Sequence, residues 1–246
     1  MSKFTNRSYE LELLDATNIP KELLFQNLRE LDVVNRLLGG HAITLSGIKK
    51  LVKNKNKTYH IIDIGCGGGD AMIQIAKWAK INSYKVKLTG VDMNADCIDY
   101  MKNACKEFSE IDGVVMDYRD YLKTNANVDI VHCSLFCHHL KEDELIELFQ
   151  YMNKHAHVGF VINDLQRQWF AYYSIWFLTR LLNGSSLVKN DAPLSVLRGF
   201  RKNELEKLLN ESEVKNYFLS WKWAFRYLVT KNYNTENAEL KRGPQS

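Results

Sequence analysis

The chain has 246 residues, room for one domain with additions; 46% are hydrophobic and 25% charged, a balance that excludes a disordered polypeptide. Its formal net charge of +4 carries no dense basic stripe, so no nucleic-acid partner is expected. Met1 to Arg7 lacks the apolar run of a signal peptide. The longest apolar stretch, Trp169 to Leu182, is broken by Ser174, Thr179 and Arg180 and is shorter than the roughly 20 residues of a membrane span.

These features predict a cytoplasmic protein without membrane insertion, a monomer or homodimer. The five cysteines (Cys66, Cys97, Cys105, Cys133 and Cys137) contain no CxxC pair and read as reduced thiols.

In chain order, Leu24, Leu28, Leu31, Val34 and Leu38 make a helical stripe over 21–38, ended by Gly39-Gly40. A second helix is expected over 42–53, running into a solvated lysine run (Lys49, Lys50, Lys53, Lys55, Lys57). Residues 1–57 therefore read as an N-terminal helical lid.

From Tyr59 onward, short apolar runs ending at Ile64, Val91, Met116, Cys133 and Ile162 alternate with amphipathic segments. That alternation predicts right-handed βαβ crossovers and an α/β, doubly wound, mostly parallel sheet. After the fifth strand an aromatic helix is expected over 168–182, then a loop over 183–198 and a helix near 203–210. Two β-like runs follow, 214–221 and 223–230, as one bent ribbon or two antiparallel strands. The main domain spans 58–231 with a cap insertion at about 165–200, and 232–246 reads as a flexible tail.

The segment Asp63-Ile64-Gly65-Cys66-Gly67-Gly68-Gly69-Asp70 follows a strand and opens a helix, so its glycines let the backbone turn sharply beside a ligand. A dinucleotide fingerprint needs glycine at the sixth place, where Asp70 stands. Asp63 would repel a pyrophosphate and attract an ammonium and a sulfonium. Asp92 ends the second strand, where a ribose diol would lie, and Asp117-Tyr118 ends the third, an acceptor for an amino group and a flank for a ring.

These residues resemble the motifs of class I S-adenosylmethionine-dependent methyltransferases. The resemblance implies a Rossmann-like, seven-stranded methyltransferase fold with N-terminal helices and a helical cap. It assigns the methionine end to Gly65 and Gly67, the ribose to Asp92 and the adenine to Asp117; Asp63, Cys66, Met93 and Tyr118 are further candidates to bind the cofactor. Ser134, ending the fourth strand, joins the cofactor set, and Arg36 is a candidate for the cofactor carboxylate. The segments 35–40 and 191–200 resemble bacterial small-molecule methyltransferases related to quinone-biosynthesis enzymes.

The expected reaction is methyl transfer to a small aromatic or phenolic acceptor, at oxygen, with S-adenosylhomocysteine as product. Carbon methylation of a quinone-like ring is the alternative. Rivals from other classes are a nicotinamide-dependent reductase and a non-catalytic cofactor-binding protein.

For proton removal the candidates lie in the loop Ser134 to Leu140. His138 or His139 can serve as base, since imidazole titrates near working pH. His139 is preferred because the resembling family often carries a histidine there. The alternative is that one histidine caps the next helix and the other packs against the loop. No second ligand pair accompanies Cys133, Cys137, His138 and His139 in the sequence, so no metal is expected. Ser134-Leu135-Phe136 lacks the prolines of amino-directed nucleic-acid methyltransferases. Arg167, Arg198 and Arg201 are candidates to hold an acidic group on the acceptor, and Asn163-Asp164 to touch it or cap a helix.

Overall fold

The computed structural model describes residues 3–16, 19–124 and 128–233, so the expected tail beyond Tyr233 lies outside the described residues. Strands β1 (Thr58–Ile64), β2 (Lys85–Asp92), β3 (Ile111–Val115), β4 (Val128–Ser134), β5 (Ala156–Leu165), β6 (Tyr217–Lys222) and β7 (Arg226–Asn232) form one sheet ordered β3-β2-β1-β4-β5-β7-β6. Strands β1 to β5 are mutually parallel, and β7 runs antiparallel between β5 and β6. The strand order reverses between β1 and β4, which opens a crevice at the carboxyl end of the sheet.

Both faces of the sheet are covered, which is why β1, β4 and β5 read as nearly continuous apolar runs. Ile61, Ile130 and Val161 point to one face, against α2 (Gly40–Leu51), α3 (Asp70–Ile81) and α4 (Ala95–Ala104). Ile62, Val131 and Phe160 point to the other, against α5 (Tyr118–Thr124), α6 (Glu142–His155) and α9 (Lys202–Glu211). Helix α2 is thus part of the sheet's packing layer. It approaches β5 so closely at Gly47 that a Cβ there would stand 2.6 Å from Val161 Cγ1.

Helix α1 (Lys21–Leu37) contacts α2, α4 and α8 (Ser186–Arg198), and α8 also packs on α7 (Trp169–Leu181). The segment expected as a loop over 183–198 is therefore mostly helix. Ser185 caps it, its Oγ accepting from Val188 N at 3.3 Å, and Leu187, Val188, Leu194 and Val196 are buried. Pro193 and the polar pair Asn190-Asp191 hide that helix from a periodicity argument, because its stabilisation is tertiary. The two β-like runs are two antiparallel strands, β6 and β7, joined through Trp223, Ala224 and Phe225.

Helix α7 buries Ala171, Ile175 and Thr179, while Trp169, Phe170, Tyr173, Trp176 and Phe177 are exposed. Among the described residues no helix is long and apolar enough to cross a membrane. All five cysteines are free and buried.

Candidate active site

Between β1 and α3 the chain turns through Gly65, Gly67 and Gly69, all with positive φ (66°, 49° and 75°). Only glycine adopts that region without strain. At Gly65 a Cβ would also stand 2.2 Å from Phe136 Cδ2. The turn is tied to the next strand by Asp92: its Oδ2 accepts from Gly67 N at 3.0 Å and its Oδ1 from Asn94 N at 2.9 Å. Burial pushes the Asp92 carboxyl above the ordinary carboxylate value, although those two N–H donors favour the anion. Asp63 is buried under the turn, 2.9 Å from His132 Nδ1.

These groups line a cleft of about 290 Å³. Of the residues expected from sequence, Asp63, Gly65, Cys66, Gly67, Asp92, Met93, Tyr118 and Ser134 line it. Sequence reasoning missed Leu28, Leu31, Asn35, His41 and Asp70, which line it as well. Burial raises the Asp70 carboxyl, and Asn35 Nδ2 and His41 Nε2 each lie 3.4 Å from it. Asp63, Asp70 and Asp92 make the cleft acidic.

Two expected residues fall elsewhere. Asp117 does not line the cleft; it takes the Arg119 guanidinium at 2.6 and 3.0 Å, which holds its carboxyl below the usual range. Its neighbours Met116 and Tyr118 form that part of the wall. Arg36 projects from α1 toward solvent and pairs with Asp32 one turn earlier, outside the cleft.

A second cavity, also of about 290 Å³, is lined mainly by apolar side chains such as Leu38, Leu165, Phe170 and Phe225, with Glu12, His138, Asp191 and Arg226 among its polar groups. It meets the acidic cleft at Leu14, Leu31, Asn35, Leu135 and His139, which border both. Both histidines of the β4–α6 loop are held from behind: His138 Nδ1 lies 2.7 Å from Asp164 Oδ1, and His139 Nδ1 lies 3.0 Å from Asp15 Oδ1. His138 is buried and His139 partly exposed.

The arginines proposed as acceptor anchors are engaged within the protein. Arg198 Nη1 binds Asp15 at 2.6 Å, while its Nε and Nη2 donate to the carbonyls of His138 and His139. Arg167 binds Glu204 at 2.5 Å, and Arg201 donates to Phe4 O. Arg7, likewise buried, donates to Arg198 O and Leu140 O. The backbone N–H groups of Leu13 and Leu14 donate to Asp191 at 2.8 and 2.9 Å. Together these bonds strap the N-terminal segment across the histidine loop. Asn163 donates to Gly40 O and Thr44 Oγ1, which fastens α2 rather than touching an acceptor.

Residues 61–159 match a family described as a methyltransferase domain. No curated protein matches the chain in sequence. Among solved structures, the plantazolicin methyltransferase BpumL in complex with SAH is 14% identical with a TM-score of 0.63, over 86% of this chain and 95% of that one. Human N-acetylserotonin methyltransferase in complex with SAM is 12% identical with a TM-score of 0.58, over 87% of this chain and 56% of that one. The citrinin polyketide synthase CMeT domain is 10% identical with a TM-score of 0.54, over 74% of this chain, which spans only 48% of that one.

At such identities the likeness establishes the fold alone. Residues 61–159 carry the methyltransferase-domain match, and the chain as a whole has the fold these solved structures share. It matches the plantazolicin enzyme over nearly the whole of that enzyme's length.

Proposed function

We propose that the chain transfers the methyl group of S-adenosylmethionine to a hydroxyl on a small, largely apolar, aromatic acceptor. The acidic cleft would hold the donor: Asp63 and Asp70 beside the ammonium and sulfonium, Asp92 on the ribose diol, Met93 and Tyr118 along the adenosine. The supporting observation is the meeting of two cavities, one acidic under a glycine turn and one apolar, at Leu135 and His139.

That junction suits an in-line displacement. The acceptor O–H gives up its proton at the cluster of Glu12, His138 and His139. Its oxygen forms a bond to the methyl carbon, and the S–CH₃ bond breaks with its electron pair passing to sulfur, releasing S-adenosylhomocysteine. Orientation in such a site supplies roughly 7–11 kcal/mol in favourable cases, and assisted proton removal about 10²–10⁴-fold. The apolar wall supports a flat aromatic acceptor. Arg7, Arg167 and Arg198 are committed to carbonyls and carboxylates, whereas buried Arg226, which lines the cavity, has Nε and Nη1 without a hydrogen-bond partner among the described residues and could face an acceptor oxygen.

The test is S-adenosylhomocysteine formation across a panel of phenols and hydroxyquinones, with Ala192→Trp as the control that fills the apolar cavity. The variant is expected to bind S-adenosylhomocysteine as the wild type does while losing at least about tenfold in turnover. Equal turnover by wild type and variant on every active acceptor would place the acceptor outside this cavity.

A further inference from the structure

Glu12, His138 and His139 come from two distant parts of the chain, and their remaining polar atoms converge. His138 Nε2 lies 3.7 Å from Glu12 Oε1, and His139 Nε2 lies 3.9 Å from Glu12 Oε2. One such atom from each of the three residues falls within 4.8 Å of the others. In a tetrahedral zinc site with nitrogen and oxygen ligands at about 2.0–2.2 Å, neighbouring ligand atoms stand about 3.3–3.6 Å apart. The two histidine–glutamate pairs are thus within a few tenths of an ångström of that spacing, and the set as a whole within about 1.5 Å of it.

The far edge of each ring is already occupied. Asp164 and Asp15 take Nδ1–H of His138 and His139, so in the neutral form of each ring the lone pair is on Nε2, facing Glu12. A carboxylate behind each imidazole is the arrangement that orients metal-ligating histidines and raises their basicity. Those carboxylates are themselves fixed, Asp164 by the N–H groups of Leu165 and His138, Asp15 by Arg198. Glu12 is 4% exposed; Ser195 Oγ donates to its Oε1 at 2.8 Å, leaving Oε2 toward His139. Arg198 Nη1 also lies 3.7 Å from Glu12 Oε1, but its shorter contact is to Asp15.

A second cluster, Asp32, His41 and Asp70, differs in kind. There His41 Nε2 sits at 3.0 and 3.4 Å from the two carboxylates, and Asp32 is also engaged by Arg36, so its acidic groups are paired with cations of the chain itself.

We propose that Glu12, His138 and His139 bind one divalent transition-metal ion, zinc fitting best, with an open coordination position toward the apolar cavity. Imidazole and carboxylate donors suit zinc, and two histidines with one glutamate leave a fourth place free. The consequence for catalysis rests on the methyl-transfer reading above. An ion held by Glu12, His138 and His139 would act at the same cluster by lowering the pKa of an acceptor hydroxyl beside it, in place of proton uptake by the imidazoles. The sequence hides this site because its third ligand, Glu12, lies in the N-terminal segment far from the histidine loop.

The experiment is calorimetric titration of the chelator-treated full chain with Zn²⁺, repeated with Co²⁺ to read ligand-field absorption, and with S-adenosylhomocysteine titrated separately. The wild type is expected to bind one ion per chain. Glu12→Gln and His138→Gln should each weaken it at least about tenfold, and Asp164→Asn about 10–100-fold, the effect of removing a group that orients a ligand. Glu12→Gln, which does not border the acidic cleft, should keep wild-type affinity for S-adenosylhomocysteine, which also shows that it folds. Absence of Zn²⁺ and Co²⁺ binding to the wild type, or undiminished binding by a folded Glu12→Gln, overturns the metal site and leaves the methyl-transfer reading intact. Metal binding without S-adenosylhomocysteine binding would instead support the site and sink that reading.

Discussion

Replacing Gly65 by alanine perturbs the cofactor turn at its tightest point. The residue sits at φ +66°, and a Cβ would lie 2.2 Å from Phe136 Cδ2, 2.8 Å from Cγ and 2.9 Å from Cε2. An L-residue in the left-handed region costs roughly 1–2 kcal/mol, and forcing a ring from its packed position costs about 1–3 more. The sum, about 2–5 kcal/mol, corresponds to a fall in Tm of about 4–20 °C for a chain of this size. Phe136 borders the cleft, so the displaced ring also narrows it, and affinity for S-adenosylhomocysteine should drop at least about tenfold. Differential scanning calorimetry with and without ligand reads both quantities. A Tm within about 1 °C of wild type, at unchanged affinity, would refute the packing argument and the turn's role together.

Three further outcomes are expected. Arg198→Ala removes the tie between Asp15 and the histidine loop and leaves buried acceptors unpaired, so stability should fall by about 3–5 kcal/mol in denaturant unfolding; a loss under about 1 kcal/mol would show that the strap is dispensable. Burial pushes the Cys97 thiol from its ordinary value of 9.0 up to about 12. Its folded value lies above its unfolded one, so the stabilisation is present below about pH 9 and lost as pH rises. Between about pH 8 and 10 the wild type should lose about 1 kcal/mol more than Cys97→Ala, and parallel stability curves would contradict this. Arg36→Ala should leave S-adenosylhomocysteine affinity within about twofold, because that side chain pairs only along its own helix; a tenfold loss would return it to the cofactor site.

What was legible in the sequence is what local periodicity and turn chemistry encode. The βα alternation and the Gly65 to Gly69 turn follow from spacing and from the lack of a Cβ, and Asp63 and Asp92 from their places at strand ends. Asp117 has an equally good strand-end position, but Arg119, two residues on, captures it, and a competition between a neighbour and a ligand has no sequence signature. Arg36 is likewise paired with a neighbour, Asp32. Helix α8 was obscured by Pro193, since burial against α7 and α1 sustains it. Glu12, Asp15 and Asp191 could not be found, because their partners lie across the fold in the β4–α6 loop and α8.

The central claim concerns charge: Asp63, Asp70 and Asp92 make the cleft under the first βα turn a place for a sulfonium nucleoside and not for a diphosphate. Isothermal calorimetry with S-adenosylmethionine, NAD and NADP on the same preparation measures it directly. One molecule of S-adenosylmethionine per chain should bind, more weakly in Asp92→Ala, with no heat from either dinucleotide. Binding of NAD or NADP in the absence of any S-adenosylmethionine binding would contradict the account.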